Sequence, residues 1–361
     1  MTESPAPAAP PAWRAAALEA PRAGGAPLLS GRLRESPEDF RVEERLGFDA
    51  DGGSAHQLLH VEKTDANTLF VARALARAAG VRAAEVGFAG LKDRRAVALQ
   101  WFSVPARRPV ADWDEFSGPG FRVCEAHAHS RKLRRGALAG NRFIVMVRGL
   151  AGERDALAPA LERIALRGVP AYFGAQRFGR EGSNLAAIAA WAGGTPLPRD
   201  REQRSFVLSA ARSLLFNAVL ADRVRRGTWD TLLPGELVNL DGTGSVFPAE
   251  VVDAALHARC AAMDVHPTGP LEGEDGPRPG GEAAQTEAQA LAPLAHVAAL
   301  LAGAKVEAAR RALRTPVRAL EWSLSGDVLR VSFELGRGAF ATSVMREVLD
   351  FGGQPLPGGD D

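Results

Sequence analysis

The sequence predicts an α+β protein in which one discontinuous domain is interrupted by a helix-rich insertion. Three observations lead there. Short stretches that alternate apolar and charged residues, the period-two mark of half-buried strands, occur early (residues 40–44) and again late (residues 328–333). Between them lie longer helical patterns, the clearest over residues 209–224. The 361 residues, 46% of them apolar, suffice for two or three average domains or for one domain carrying a large insertion.

The elements follow in order. Met1 to Pro27 is rich in Ala and Pro and reads as a disordered tail over residues 1–29, with no basic and apolar run of an export signal. Structure begins near Ser30. Phe40-Arg-Val-Glu-Glu44 is a first strand, residues 49–54 a turn, and His56 to Lys63 a second strand returning antiparallel. Asn67 and Thr68 are N-cap candidates for a helix whose apolar face holds Leu69, Ala72, Leu75, Ala76 and Ala79, and which Gly80 stops. Further strands are expected at 86–89, 100–104 and 142–147. The central region, 168–310, is the insertion and contains a flexible stretch, 269–287, dense in Gly, Pro and Glu. The first domain, 30–167, resumes at 311–352 with a helix over 343–349. Residues 353–361 form a flexible tail, and no internal repeat is evident.

Composition excludes several classes. No apolar run approaches the ~18 residues of a membrane span. Two distant cysteines, Cys124 and Cys260, make neither a disulfide framework nor a cysteine-rich zinc site. A cytoplasmic protein is the expectation. The net charge is +1, and only four lysines (Lys63, Lys92, Lys132, Lys305) stand beside forty arginines. Codon bias accounts for that ratio, and it draws attention to the lysines that survive, Lys92 above all.

The segment Gly87-Phe-Ala-Gly-Leu-Lys-Asp-Arg-Arg-Ala96 carries the most chemistry. Glycines at a strand end let the backbone turn sharply and approach a ligand. Asp93 then sits between Lys92 and Arg94, cations that favour the charged carboxylate. Such a group can be a nucleophile, a base or a metal ligand, or simply part of a solvated turn. A Walker phosphate loop, a His-Glu-x-x-His pair and a Gly-x-Ser-x-Gly elbow are all missing from the sequence. His56 with His60, and His127 with His129, read as structural. Arg131-Lys-Leu-Arg-Arg-Gly136 precedes Gly140-Asn-Arg-Phe143, and Tyr172-Phe-Gly-Ala-Gln-Arg-Phe-Gly179 repeats the mix of aromatics and cations. That mix suits phosphate contact and base stacking, although a solvated basic loop has the same composition.

Taken together, these segments resemble the TruD family of tRNA pseudouridine synthases. The matching stretches are Glu38-Asp-Phe-Arg-Val-Glu43, Asn67-Thr68, Gly90-Leu-Lys-Asp-Arg-Arg-Ala96 with Gln100 and Ser103, and Gly140-Asn-Arg-Phe143. Further on come residues 168–179, Ser209-Ala-Ala-Arg-Ser213 with Phe216-Asn217, His266-Pro-Thr-Gly-Pro270 and Phe340-Ala-Thr-Ser-Val-Met-Arg346. They occur in family order from about residue 30 to 350.

The resemblance implies a pseudouridine synthase catalytic domain, a mixed, largely antiparallel sheet with flanking helices, interrupted by the TruD insertion domain. It implies an isomerase that turns a uridine of tRNA, at position 13, into pseudouridine without cofactor or metal, acting as a monomer. Asp93 is then the catalytic aspartate, Phe143 the ring that stacks on the target base, and Phe40, Asn141 and Phe340 the walls of the uridine pocket. Arg346 resembles the arginine that pairs with that aspartate, and Lys92 is a second candidate partner. Three positions depart from the pattern: Ala98 in place of threonine, Ala171 in place of asparagine, and Glu272 in place of tryptophan. The rival reading is a catalytically inactive RNA-binding protein of the same fold, and in either case the basic residues must be segregated onto one face.

Overall fold

The computed structural model describes residues 10–179 and 182–351. The chain forms two compact units. One comprises Pro27–Ala165 with the described residues from Val317 onward, and the other Leu166–Pro316 with the described residues before Pro27.

The first unit is built on an eleven-stranded mixed sheet. Its main path runs Arg318–Ser325, Val328–Gly336, Leu138–Gly152, Phe40–Leu46, Val97–Pro105, His56–Thr64, Phe121–His129 and Ser117–Gly118. Most neighbours are antiparallel, but Phe40–Leu46 pairs in parallel with Val97–Pro105, Arg41 opposite Val97. The strand His56–Thr64 runs antiparallel to the first, as expected, yet Val97–Pro105 lies between them. The connection over residues 47–55 is far longer than the two residues of a tight hairpin, and so leaves room for a strand to intervene.

Helix Thr68–Ala79 covers part of one sheet face. Asn67 caps it through Oδ1, which accepts from the amides of Leu69 and Phe70, and Gly80 closes it at φ 66°. Its buried face is Thr68, Val71, Ala72, Leu75, Ala76 and Ala79, the i, i+3, i+4 spacing of an amphipathic helix. Leu69, expected inside, is exposed, because the stripe runs through Val71 instead. Near the end of the unit the expected helix over 343–349 is shorter and earlier, Ala341–Met345, followed by the short strand Leu349–Asp350.

The second unit centres on helix Arg201–Arg225. This helix is long and apolar enough to cross a membrane by length and composition, but 61% of its apolar window is buried, and it acts as the core helix. Helices Ser183–Ala192 and Ala295–Ala302 supply further core, with Ile188, Leu214, Val297 and Leu301 fully enclosed. Pro11–Leu18, expected to belong to a disordered tail, is a helix whose Trp13, Ala16 and Ala17 enter this same core. Their i, i+3, i+4 spacing is helical, a signal that the Ala/Pro composition obscures. Residues 1–9 and 352–361, the remainder of the two expected tails, lie outside the described residues.

The insertion also holds a four-stranded antiparallel sheet in the order Val246–Ala249, Glu236–Leu240, Val265–Leu271, Ala309–Ala312. Gly269 faces Phe216 of the core helix so closely that a Cβ would lie 3.1 Å from its ring and 2.8 Å from Leu313. The stretch 269–287 is ordered rather than flexible. It ends one strand and begins helix Gly281–Leu291, its turn glycines Gly276 and Gly281 take φ 146° and 48°, and Glu272 and Glu287 are buried on Arg278 and Arg310. Glu272, a departure from the family pattern, is thus a satisfied ion-pair member.

Candidate active site

Asp93 lies in the loop that leads into Val97–Pro105, the strand paired in parallel with Phe40–Leu46. Parallel pairing brings the beginnings of both strands to one end of the sheet, so Phe40 and the Asp93 loop converge there. The loop is fixed from beneath by buried polar groups. Thr68 Oγ accepts from the amide of Lys92 and donates to Gln100 Oε1, and Gln100 Nε2 donates to the carbonyl of Gly90. Lys63, fully enclosed, donates from Nζ to the carbonyls of Ala66, Lys92 and Asp93 at 2.8, 3.0 and 2.9 Å. Buried carbonyls without donors are costly, so this one ammonium holds the backbone on both sides of the Lys92–Asp93 peptide bond.

Lys92 is not the ion-pair partner of Asp93. Adjacent side chains diverge in an extended loop, and Lys92 Nζ turns inward to Glu44 Oε1 at 2.7 Å, while Glu44 Oε2 accepts from the amide of Trp101. The cation on Asp93 is Arg34, whose Nη2 donates to Oδ2 at 2.6 Å. The Arg34 side chain is 7% exposed and that of Asp93 28%, so the carboxylate keeps an open side. Arg34 adopts a left-handed backbone, φ 57°, and its guanidinium lies 3.7 Å from the centroid of Phe40. A strained backbone, a cation–π contact and an ion pair thus converge on one residue.

The period of two along each strand places Asn141, Phe143, Val145 and Val147 on one face of Leu138–Gly152. Phe143 packs between Phe40, centroids 5.9 Å apart, and Phe333, 5.7 Å apart. Asn141 is opposite Glu44 and Leu335, and its Oδ1 is buried without a hydrogen-bond partner among the described residues. An orphan acceptor of this kind marks a place for an incoming donor. Phe340, half-buried, is the residue before helix Ala341–Met345, and Arg346 closes that helix with its amide on Thr342. Asp39, just before Phe40, is anchored by both a guanidinium nitrogen pair of Arg148 and the amide of Ser36. Burial pushes its carboxyl upward, but these donors outweigh it and the net shift is downward.

The basic segment 131–136 docks beside the Asp93 loop. The amide of Leu133 donates to Ser103 Oγ, that of Gly136 to the carbonyl of Ala89, and the Arg135 guanidinium covers Phe88 at 4.2 Å. Gly87 permits the approach: a Cβ there would stand 2.3 Å from the carbonyl oxygen of Leu133. Arg131 and Arg134 remain exposed.

Of the residues expected from sequence, Asp93, Phe40 and Phe143 are brought together and Lys92 is turned away. Arg34, Glu44 and Lys63 carry structural or electrostatic weight that sequence reasoning does not assign. Scarcity of lysine is a usable signal for Lys63; Arg34 offers none.

Such a site, a paired carboxylate at the end of a mixed sheet, beside aromatic rings and an unfilled amide acceptor, is suited to carboxylate chemistry on a flat polar ring. Comparison with known proteins narrows the class. The family model for tRNA pseudouridine synthase D (TruD) matches residues 23–191 and 197–348. The chain is 44% identical over 341 residues to a tRNA pseudouridine synthase D of Methylococcus capsulatus, covering 93% of this chain and 96% of that one. It is equally 44% identical over 331 residues to that of Nitrosococcus oceani, covering 90% and 92%. A Methanosarcina mazei crystal structure that carries the TruD name superposes with a TM-score of 0.74 at 19% identity, covering 94% of this chain and 98% of its own, and so shares the fold. The chain belongs to the TruD family of tRNA pseudouridine synthases.

Proposed function

We propose that this protein isomerises uridine 13 of tRNA to pseudouridine with Asp93 as the nucleophile. Its family is one of isomerases that act on uridine in tRNA. The observation that carries the residue assignment is the Arg34–Asp93 pair at 2.6 Å next to Phe40 and Phe143. The target nucleotide must leave its stack to reach Asp93, at a cost of a few kcal/mol. Stacking on Phe143, contacts with Phe40 and Phe340, and a hydrogen bond from the uracil N3–H to Asn141 Oδ1 offset that cost. Attack by Asp93 leads to cleavage of the bond between C1′ and N1, the uracil turns within the pocket, a bond from C1′ to C5 forms, and Asp93 is released as the carboxylate while C5 loses its proton and N1 takes one up from solvent. Arg34 keeps the carboxylate oriented before attack. A role for Arg346 beside the same carboxylate rests on the family resemblance.

Every atom of the product comes from the substrate except the exchanged proton, and no electrons are transferred, so the reaction requires no cofactor or metal. Arg131, Arg134 and Arg135 would meet the phosphates around the flipped base. The reading carries with it a cytoplasmic monomer.

Pseudouridine mapping of tRNA incubated with wild-type protein and with Asp93→Asn tests this. Product at position 13 with wild type alone supports it. Equal product from both removes Asp93 from the reaction. Tight tRNA binding without product from wild type favours the inactive binding protein.

A further inference from the structure

Among the described residues, the large apolar side chains exposed in the unit that carries Asp93 are Leu28, Phe48, Leu69, Phe70, Leu91 and Trp322. A single exposed apolar residue needs no explanation. Leu69, Phe70 and Leu91, by contrast, lie at one place, the Asp93 loop and the helix start that is bonded to it. Phe70 is accounted for, because it rests edge-on against Phe121 with centroids 6.4 Å apart. Leu69 and Leu91 are left.

Both leucines are aimed outward by the groups beside them. Lys92 turns inward to Glu44, so its neighbours on either side face the other way. Leu91 is 44% exposed and the Asp93 side chain 28%, against 8% for that of Lys92. Leu91 therefore opens on the same side as the carboxylate. Thr68 likewise turns inward, to Gln100 and the amide of Lys92, and Leu69, about 100° further round the helix, emerges 40% exposed. The bond from the Lys92 amide to Thr68 Oγ, 3.1 Å, ties the two backbones together. A small apolar ledge thus flanks the open side of Asp93. Next to it Arg94 and Arg95 are exposed. Arg94 meets Asp65 in a pair whose side chains are both more than half exposed, and such a pair is weak enough to exchange for another anion. A polar side chain in place of either leucine would leave the buried face of Thr68–Ala79 unchanged, so the ledge does not serve the fold.

An apolar surface rimmed by cations matches a nucleotide, whose base has apolar faces and whose phosphate is anionic. When a target uridine leaves its stack, each flanking base loses a neighbour, and proteins that unstack bases commonly fill the gap with an apolar side chain. We infer that Leu91, backed by Leu69, covers the base next to the target uridine once that uridine has flipped toward Asp93. The inference rests on the isomerase reading proposed above. It gives the two leucines a part in flipping that is separate from the pocket for the uracil itself.

The test is a double-mutant cycle between protein and RNA, read as single-turnover rates of pseudouridine formation. Wild type and the double variant Leu69→Ser/Leu91→Ser are compared on natural tRNA and on tRNAs with an abasic nucleotide on one or the other side of the target. On natural tRNA the variant should be slower by about tenfold, with a melting temperature near wild type. On one of the abasic tRNAs the two proteins should differ by less than about twofold, because the partner base is already gone. Leu91→Met keeps an apolar side chain of similar volume and should stay within about threefold of wild type on natural tRNA. An equal loss on natural and both abasic tRNAs, or no loss on any, would overturn the ledge and leave the proposed function standing. A changed oligomeric state of the free variant, with equal kinetics on all three RNAs, would overturn it in favour of a contact between copies. If wild type forms no pseudouridine on natural tRNA, the function beneath the inference fails, and the inference with it.

Discussion

Arg34→Gly separates what the site spends on stability from what it spends on orientation. Arg34 occupies a left-handed backbone conformation, which costs an L-residue roughly 1–2 kcal/mol that glycine does not incur. The substitution also removes the guanidinium over Phe40, worth about 0.5–2 kcal/mol, and loosens the unfolded chain by about 0.5–1 kcal/mol. The lost ion pair with Asp93 adds to the cost, so the net change is a destabilisation of about 1–2 kcal/mol and the melting temperature should fall by several degrees. Catalysis has no such compensation. Asp93 Oδ2 loses a 2.6 Å charge-assisted bond, a class worth about 1.5–3 kcal/mol. Spent on holding the proposed nucleophile, that corresponds to a rate about 10- to 150-fold lower. The assay is single-turnover release of tritium from tRNA labelled at C5 of uridine, since the new bond to C5 expels that hydrogen. Arg34→Lys keeps a charge without the planar fork and should recover part of the loss. A wild-type rate in Arg34→Gly would refute the argument that this ion pair orients the carboxylate.

Three other outcomes are expected. Glu44→Ala strands the buried Lys92 ammonium and the Trp101 amide, and should cost about 3–5 kcal/mol in denaturant titration; a change below about 1 kcal/mol would mean that Lys92 finds another partner. Asn141→Ala removes the orphan acceptor and should raise KM for tRNA several-fold while the melting temperature stays near wild type, whereas unchanged kinetics would take Asn141 out of the pocket. Asp39 has a depressed folded-state pKa, so its contribution is complete above the ordinary carboxyl value of about 3.8 and is lost as pH falls through the lower folded value. Stability of wild type relative to Asp39→Asn should therefore shrink below about pH 4, and a constant difference down to pH 2 would count against it.

The sequence is most legible where a single physical rule acts alone. The Asn67 cap and the Gly80 stop are readable because each satisfies a helix end with its own atoms, and Phe40–Leu46 because one face is buried and the other wet. The insertion's sheet escapes notice for the opposite reason. Glu236–Leu240 and Val265–Leu271 are buried on nearly every residue, so no alternation marks them, and Val265–Leu271 contains His, two prolines and Gly, which read as loop. The Gly- and Pro-dense run after it looks flexible because turns and disorder share a composition; only the partners of Glu272 and Glu287 tell them apart. In the site, Asp93 stands out through its neighbours in sequence, whereas its cation comes from 59 residues away and is one arginine among forty. Local pattern cannot choose among them.

The helix Pro11–Leu18 has a consequence for how the chain is made. Its buried Trp13, Ala16 and Ala17 find their cover in residues such as Leu185, Leu214 and Leu301, which leave the ribosome much later. At roughly 5–20 residues per second, the first helix waits on the order of ten seconds or more with its apolar stripe bare, while the intervening strands are synthesised and can already pair. This helix is thus among the last pieces to be seated, and during that interval its bare apolar stripe is a natural handle for a chaperone.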